Sequence, residues 1–87
     1  MIAVLYHKNF LKSVKNLPEF QQKKLSKLIE VLRENPFNPL LHTKRLTKEL
    51  AGSLSFRVTR NWRVIFQFLN PGAVQLLRVK HRKDIYR

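Results

Sequence analysis

A change in hydrophobic period near Leu54 constrains the fold of this chain more than any other feature of its sequence. Before that point, apolar residues recur at the three- and four-residue spacing of helices, whereas from Leu54 onward they alternate with polar residues. Alternation places successive side chains on opposite faces of a strand, and the helical period places one apolar stripe on one face of a helix. The first part of the chain should therefore be mainly helical, and the last part should form a sheet.

Two helices are predicted in the first part. The first carries an apolar stripe of Phe10, Leu11, Val14 and Leu17, and the second carries one of Leu25, Leu28, Ile29 and Leu32. Pro18 closes the first helix and suits the first position of the next, and the Asn-Pro pair at 35–36 ends the second helix. Because the link between them is short, the helices should form a hairpin. An apolar run at residues 2–6 predicts a short strand ahead of them.

Three strands are predicted in the last part, with turns at 59–61 and 70–73. Segment 43–52 fits either a short helical turn or a lead-in strand, and residues 84–87 fit a last short strand or an extended tail. The order is then β-α-α-β-β-β. This order predicts an α+β fold in which an N-terminal strand and a helical hairpin pack on one face of a small antiparallel sheet, as a single domain over residues 1–87.

The alternation also predicts the register of the first hairpin. A two-residue loop would mix charge into the apolar face, whereas a three-residue loop at 59–61 keeps that face apolar. The pairs are then Val58 with Trp62, Phe56 with Val64, and Leu54 with Phe66. Such a loop needs a left-handed residue at its end, and Asn61 tolerates that conformation. The same register places Arg57 directly opposite Arg63 on the other face.

The second hairpin extends this pattern across a third strand. The Pro-Gly pair at 71–72 suits a type II turn. A tight turn there gives the pairs Phe66 with Leu77, Val64 with Val79, Ile65 with Arg78, and Arg63 with Lys80. If the helices cover the apolar face, the opposite, uncovered face should carry Arg57, Arg63, Lys80 and Arg82 around one spot. Like charges directly across a strand pair destabilise a sheet, so such a cluster indicates a function rather than a contribution to stability. Its cations suit a phosphate that is being cleaved, because negative charge develops on the phosphate oxygens in the transition state.

The net charge of the chain indicates what kind of partner it binds. Lysine and arginine outnumber aspartate and glutamate by 18 to 5, which gives a formal net charge of +13. Solubility alone needs a charge of about 2–8, so the excess predicts a polyanion such as nucleic acid, and an acidic protein partner is compatible with it. The chain has no cysteine, and its three histidines lie far apart, so no metal site or other cofactor is expected. Without a long apolar run or a signal peptide, we expect a soluble, cytoplasmic protein with no membrane partner.

Two segments of the last part resemble a known family. The stretch LAGSLSFRVTRNWRVIF at 50–66 and the ending VKHRKDIYR at 79–87 are similar to the RelE/ParE superfamily of type II toxins. The shared pattern is a Leu-x-Gly lead-in, a Ser-x-Arg strand, an aromatic residue followed by arginine at the start of the next strand, and a closing His-Arg-x-Asp-Ile-Tyr. The resemblance covers residues 42–87 well, and the earlier residues match in the helical hairpin and its spacing.

The resemblance implies a toxin that is neutralised by an antitoxin encoded beside it and that cleaves mRNA in the ribosomal A site. In such enzymes the 2′-hydroxyl of the RNA attacks the adjacent phosphate. By position, Arg63 would stabilise the transition state, Arg57 would hold the phosphate, and Arg82 would assist the leaving 5′-oxygen. Tyr86 would stack on a base or orient the substrate. The candidate substrate-binding residues are Lys80, His81 and Lys44.

Departures from the family pattern leave an alternative open. Thr59 stands where some relatives carry a second lysine, and Lys44, His42 or Glu49 stand where others carry a base. His81 is chemically suitable as a base, but the register turns it toward the core side. A ParE-like toxin that inhibits DNA gyrase without cleaving RNA is therefore the alternative. A double-stranded-RNA-binding domain is disfavoured, because the strands of such a domain are followed by a closing helix, whereas this chain ends in a strand-like segment.

Overall fold

A computed structural model describes residues 1–85 of the protein. The strands are β1 (Ala3–Tyr6), β2 (Lys44–Arg45), β3 (Leu54–Arg57), β4 (Trp62–Asn70) and β5 (Ala73–His81), and the α-helices are α1 (Lys8–Val14), α2 (Glu19–Glu34) and α3 (Arg82–Ile85). Single 3-10 turns lie at Pro39–Leu41 and Lys48–Leu50. None of the helices within residues 1–85 combines the length and the apolar character that a membrane crossing requires.

The strands form one sheet in the order β1-β5-β4-β3-β2. Strands β2, β3, β4 and β5 pair antiparallel with one another in that order, and β1 pairs parallel with β5 at one edge of the sheet. A parallel neighbour requires a long crossover, which α1, α2 and the strands that follow them provide. The predicted α+β fold is confirmed, with a sheet that is mostly antiparallel. Segment 43–52 contains both of the structures that its sequence left open, the short strand β2 and a 3-10 turn.

Helices α1 and α2 cover one face of the sheet, as predicted. The residues that form this main core are Phe10, Leu17, Leu25, Ile29, Leu32, Leu41, Leu54, Phe56, Val58, Val64, Phe66, Val74, Leu76 and Val79. Leu11 departs from the predicted stripe, because its side chain is 56% exposed. Helix α1 ends at Val14, and Gln22 Nε2 donates hydrogen bonds to the carbonyls of Val14 and Leu17. These bonds brace the short link between the helices, where Pro18 lies just before the first helical residue of α2.

The first hairpin has the predicted register, with Phe56 opposite Val64 and Arg57 opposite Arg63. The prediction that Asn61 adopts a left-handed conformation is wrong, because within residues 1–85 the non-glycine residues with positive φ are His42 and Lys48. Instead, the carbonyl of Trp62 accepts hydrogen bonds from the amides of both Val58 and Thr59. This bulge accommodates the extra loop residue, so no residue needs to become left-handed.

The second hairpin departs from prediction at a second bulge. Val64 pairs with Val79 as predicted, but Phe66 pairs with Leu76 rather than Leu77. The extra residue turns Leu77 to the opposite face, because one inserted position reverses the alternation of a strand. The turn is also not type II, since Gly72 lacks the positive φ that this type requires.

The face opposite the helices is not uncovered, contrary to the sequence prediction. A second, smaller apolar cluster lies there, formed by Leu46, Ile65 and Ile85 with the partly buried Leu50 and Leu77. The segment between β2 and β3 and the short helix α3 cover this part of the sheet. A strand or extended tail was expected at residues 84–87, and helix α3 replaces it at 84 and 85, whereas residues 86 and 87 lie outside the described residues.

Candidate functional site

A row of three cations crosses the sheet on the face opposite the helices. Arg57 of β3 pairs with Arg63 of β4, which pairs with Lys80 of β5. Neighbouring strands lie about 4.8 Å apart, so the row extends over roughly 10 Å. Arg57 and Lys80 are half-buried, and each flanks Arg63. We call these three residues the cation row.

Arg63, at the centre of the cation row, is only 4% exposed. Its Nε donates a hydrogen bond to Ser55 Oγ at 2.8 Å, and its Nη2 donates to the carbonyls of Ser55 and His42. Ser55 is itself fully buried. His42 precedes β2, and it adopts a left-handed conformation with φ of 47° after the 3-10 turn. The guanidinium of Arg63 therefore ties β4 to β3 and to the segment that leads into β2.

Arg82 and Tyr86 are not part of the three paired strand positions of the cation row. Arg82 begins α3 and is exposed, and its backbone amide donates to the Asn61 carbonyl at 2.7 Å. This bond attaches α3 to the loop between β3 and β4, next to the end of the strand that carries Arg57. Tyr86, assigned to stacking or orientation by the resemblance, lies outside the described residues.

Lys44 and His81 lie on opposite sides of the sheet. Lys44 is exposed on β2 and pairs with Ser55, so it shares the face of the cation row. His81 pairs with Trp62, and the two ring centroids lie 5.3 Å apart in an edge-to-face arrangement on the helix-covered side. The register had predicted this orientation. His81 is thus separated from the cation row by the sheet itself.

Lys80 lines several clefts, and two of them lie beside the cation row. One, of about 270 Å³, is lined by Lys80 together with Glu49 and Asp84. The other, of about 260 Å³, includes Arg78. Arg78 was not among the candidate site residues of the sequence, and the bulge that shapes the second cleft leaves no local sequence signal. Within residues 1–85, no group of histidine, cysteine or acidic side chains is arranged to hold a metal ion.

Comparison with known proteins identifies the family. The family model described as the ParE toxin of type II toxin-antitoxin system, parDE, matches residues 4–86. No sequence among curated proteins matches the chain significantly. The fold is similar to that of YafQ from E. coli strain BL21(DE3), with 20% identity, complete coverage of both chains and a TM-score of 0.78.

Two solved toxin-antitoxin complexes contain chains that are similar at higher identity. One is the RelB-RelE antitoxin-toxin complex from Methanococcus jannaschii, with 28% identity over 94% of each chain and a TM-score of 0.73. The other is the RelBE2 toxin-antitoxin complex from Mycobacterium tuberculosis, with 26% identity over 93% of this chain and 98% of that one, and a TM-score of 0.68. With a family match along almost its whole length, the chain belongs to the RelE/ParE superfamily of type II toxins.

Proposed function

We propose that this toxin is a ribosome-dependent mRNA endoribonuclease. The 2′-hydroxyl of the RNA attacks the adjacent phosphorus, and the bond from phosphorus to the 5′-oxygen breaks. The products are a 2′,3′-cyclic phosphate and a 5′-hydroxyl, with one proton lost from the 2′-oxygen and one gained by the 5′-oxygen. The observation that carries this proposal is the cation row, whose three side chains come from three adjacent strands.

Exposure and hydrogen bonding support the roles that we propose within the row. Arg57 and Lys80 are accessible enough to contact the non-bridging oxygens of a phosphate lying across the row. Arg63 supplies a guanidinium whose orientation is set in advance by Ser55 and His42. Donors that need no reorganisation are the ones that stabilise a transition state most effectively, because their alignment is complete before charge develops.

Further residues would complete the site. We assign Arg82 to the leaving 5′-oxygen, Tyr86 to stacking on a base or orienting the substrate, and Lys44 to the RNA backbone beside the row. His81 faces the helices, so any contact it makes with RNA would come from the edge of the sheet. Glu49 is the candidate general base, because it lines the cleft that contains Lys80.

The proposed partners are a cognate antitoxin, the ribosome and mRNA in the cytoplasm. Relatives of similar fold have been solved as toxin-antitoxin complexes, including DinJ-YafQ from E. coli and YoeB-YefM from Staphylococcus aureus. A net charge of +13 suits both an acidic antitoxin segment and ribosomal RNA. The two would compete for the same basic surface, which is a simple means of neutralising the toxin.

The test compares Arg57→Gln with Arg60→Gln, a matched substitution of an exposed arginine in the adjoining loop. Each variant is induced in bacterial cells, and mRNA is mapped by primer extension. We expect discrete cuts with the wild type and Arg60→Gln, and about 10²–10³-fold slower cleavage with Arg57→Gln, the loss typical of removing one charge-stabilising donor. Equal loss or equal retention of cleavage in both variants would contradict the assigned role of the row.

A second candidate is a ParE-like toxin that inhibits DNA gyrase without cleaving RNA. The deep burial of Arg63 favours it, because a guanidinium bonded to Ser55 and His42 also has a purely structural role. This function predicts DNA damage linked to gyrase and no discrete mRNA ends in the primer-extension experiment. That outcome would replace the ribonuclease proposal.

A further inference from the structure

The second cleft beside the cation row combines an apolar floor with a cationic edge. Leu50, Ile65 and Leu77 form the floor, and Arg78 and Lys80 lie at the edge. We call this cleft the β5 pocket. Leu77 and Arg78 are consecutive residues on the same face, which is possible only because the bulge in β5 interrupts the alternation there.

Polar groups line the β5 pocket above its floor. Asn9 of α1 and Ser53 of the segment before β3 both line it. Within residues 1–85, neither side chain makes a hydrogen bond, so both amide and hydroxyl are available to a ligand. His7 also lines the pocket, and its Nδ1 accepts a hydrogen bond from the Asn9 backbone amide. Among the described residues, the pocket lining contains no aspartate or glutamate.

These features suit a nucleotide better than a phosphate alone. The volume of about 260 Å³ lies just below the range of pockets for drug-sized ligands, and it is suitable for a single base. An unstacked base packs its flat surface on apolar or aromatic side chains and pairs its edges with amide and hydroxyl groups. A phosphate needs the cations at the edge, and Arg78 offers a planar fork of donors for it.

We propose that the β5 pocket binds one unstacked nucleotide of the RNA substrate, next to the scissile phosphate in the cation row. The base lies on the Ile65 and Leu77 floor, and its phosphate lies between Arg78 and Lys80. Lys80 belongs to both sites, so a nucleotide in the pocket places the next phosphate of the same strand on the row. This inference rests on the proposed ribonuclease function, and it adds a site for substrate recognition.

The experiment measures binding of adenosine 5′-monophosphate and of ribose 5-phosphate to the purified toxin. Calorimetry at about 0.15 M salt limits contributions from the remaining surface charge. We expect the nucleotide to bind more tightly than the sugar phosphate, because only the nucleotide contacts the floor. Arg78→Gln should weaken nucleotide binding by about tenfold, as expected for one charge-assisted hydrogen bond, whereas Arg60→Gln should leave it unchanged.

Amide NMR spectra provide a second measurement that does not depend on any substitution. Addition of the nucleotide should shift the signals of Asn9, Ser53 and Leu77 more than those of α2. Equal affinity for both ligands, an unchanged affinity in Arg78→Gln, or shifts confined to α2 would overturn the inference. If the toxin cleaves mRNA but does not bind the nucleotide, the inference about the β5 pocket is wrong and the proposed function stands. If the toxin binds the nucleotide but cleaves no mRNA, the proposed function is wrong and the β5 pocket stands as a nucleotide site.

Discussion

The hydrogen bond between Arg63 and Ser55 provides the sharpest test of the structure. Ser55→Ala removes the Oγ that accepts from Arg63 Nε at 2.8 Å, at a position that is fully buried. The two bonds from Nη2 to backbone carbonyls remain. A buried donor left without its acceptor costs about 1–3 kcal/mol, so we expect a loss of about 2 kcal/mol in the free energy of unfolding. For a domain of this size, that loss lowers the melting temperature by roughly 8–16 °C.

A double-mutant cycle isolates this pair from general damage to the core. Arg63→Met keeps most of the side-chain length but removes the guanidinium, and the double variant removes both partners. Urea unfolding of the four proteins should give a coupling free energy of about 0.5–3 kcal/mol, the range of residues in direct contact. The m-value should stay constant across the set, which shows that all four unfold in the same transition. Additivity of the two single changes within about 0.5 kcal/mol would refute the hydrogen bond.

Two further predictions concern backbone strain and surface charge. Gly52 has a φ of 92° and open space around its missing side chain, so Gly52→Ala should lose about 1–2 kcal/mol through backbone strain alone. Gly72 has no positive φ and a Cβ there would make an ordinary 3.5 Å contact with Asn70 Oδ1, so Gly72→Ala should be neutral or stabilise by about 0.4–1 kcal/mol. Thermal melts of both variants check this pair, and equal effects would contradict it. Glutamine at the three exposed lysines of α2, Lys23, Lys24 and Lys27, should reduce the slope of log affinity for ribosomes against log salt by about 2–3, and an unchanged slope would exclude this face from RNA contact.

The first hairpin was predictable because its sequence offers one consistent apolar face. Only one loop length keeps Phe56 and Val64 on that face, so the opposition of Arg57 and Arg63 followed from the alternation alone. In the second hairpin, more than one register keeps the covered face apolar. Leu76 and Leu77 are both apolar, so Leu76 fills the position opposite Phe66 if the strand has a bulge and Leu77 fills it if the strand does not. Neither arrangement places a polar residue in the main core. The register shift therefore has no signature in the sequence.

The burial of Arg63 was not predictable for a different reason. It depends on segment 42–50, which contacts the sheet through Leu46 and through the His42 carbonyl. A two-residue strand and a 3-10 turn have almost no periodicity, and they are placed by tertiary contacts rather than by local preference. The alternation correctly placed Arg57, Arg63 and Lys80 on one face, but it did not predict that Arg82 begins a helix or that the chain covers Arg63.

Replacing the buried Arg63 distinguishes a structural role of the cation row from a functional one. Like charges across neighbouring strands destabilise a sheet by a few tenths to about 1 kcal/mol, and burying a charged group adds a desolvation penalty. An apolar residue of similar volume avoids both penalties, but at position 63 it also leaves the buried Ser55 Oγ without its donor, at a cost of about 1–3 kcal/mol. If Arg63 serves only the fold, Arg63→Met should therefore lower the melting temperature, and the protein that remains folded should retain its toxicity. If Arg63 serves a phosphate, the same variant should fail to arrest growth even at temperatures where thermal melts show it to be folded, because the reaction then requires the guanidinium itself.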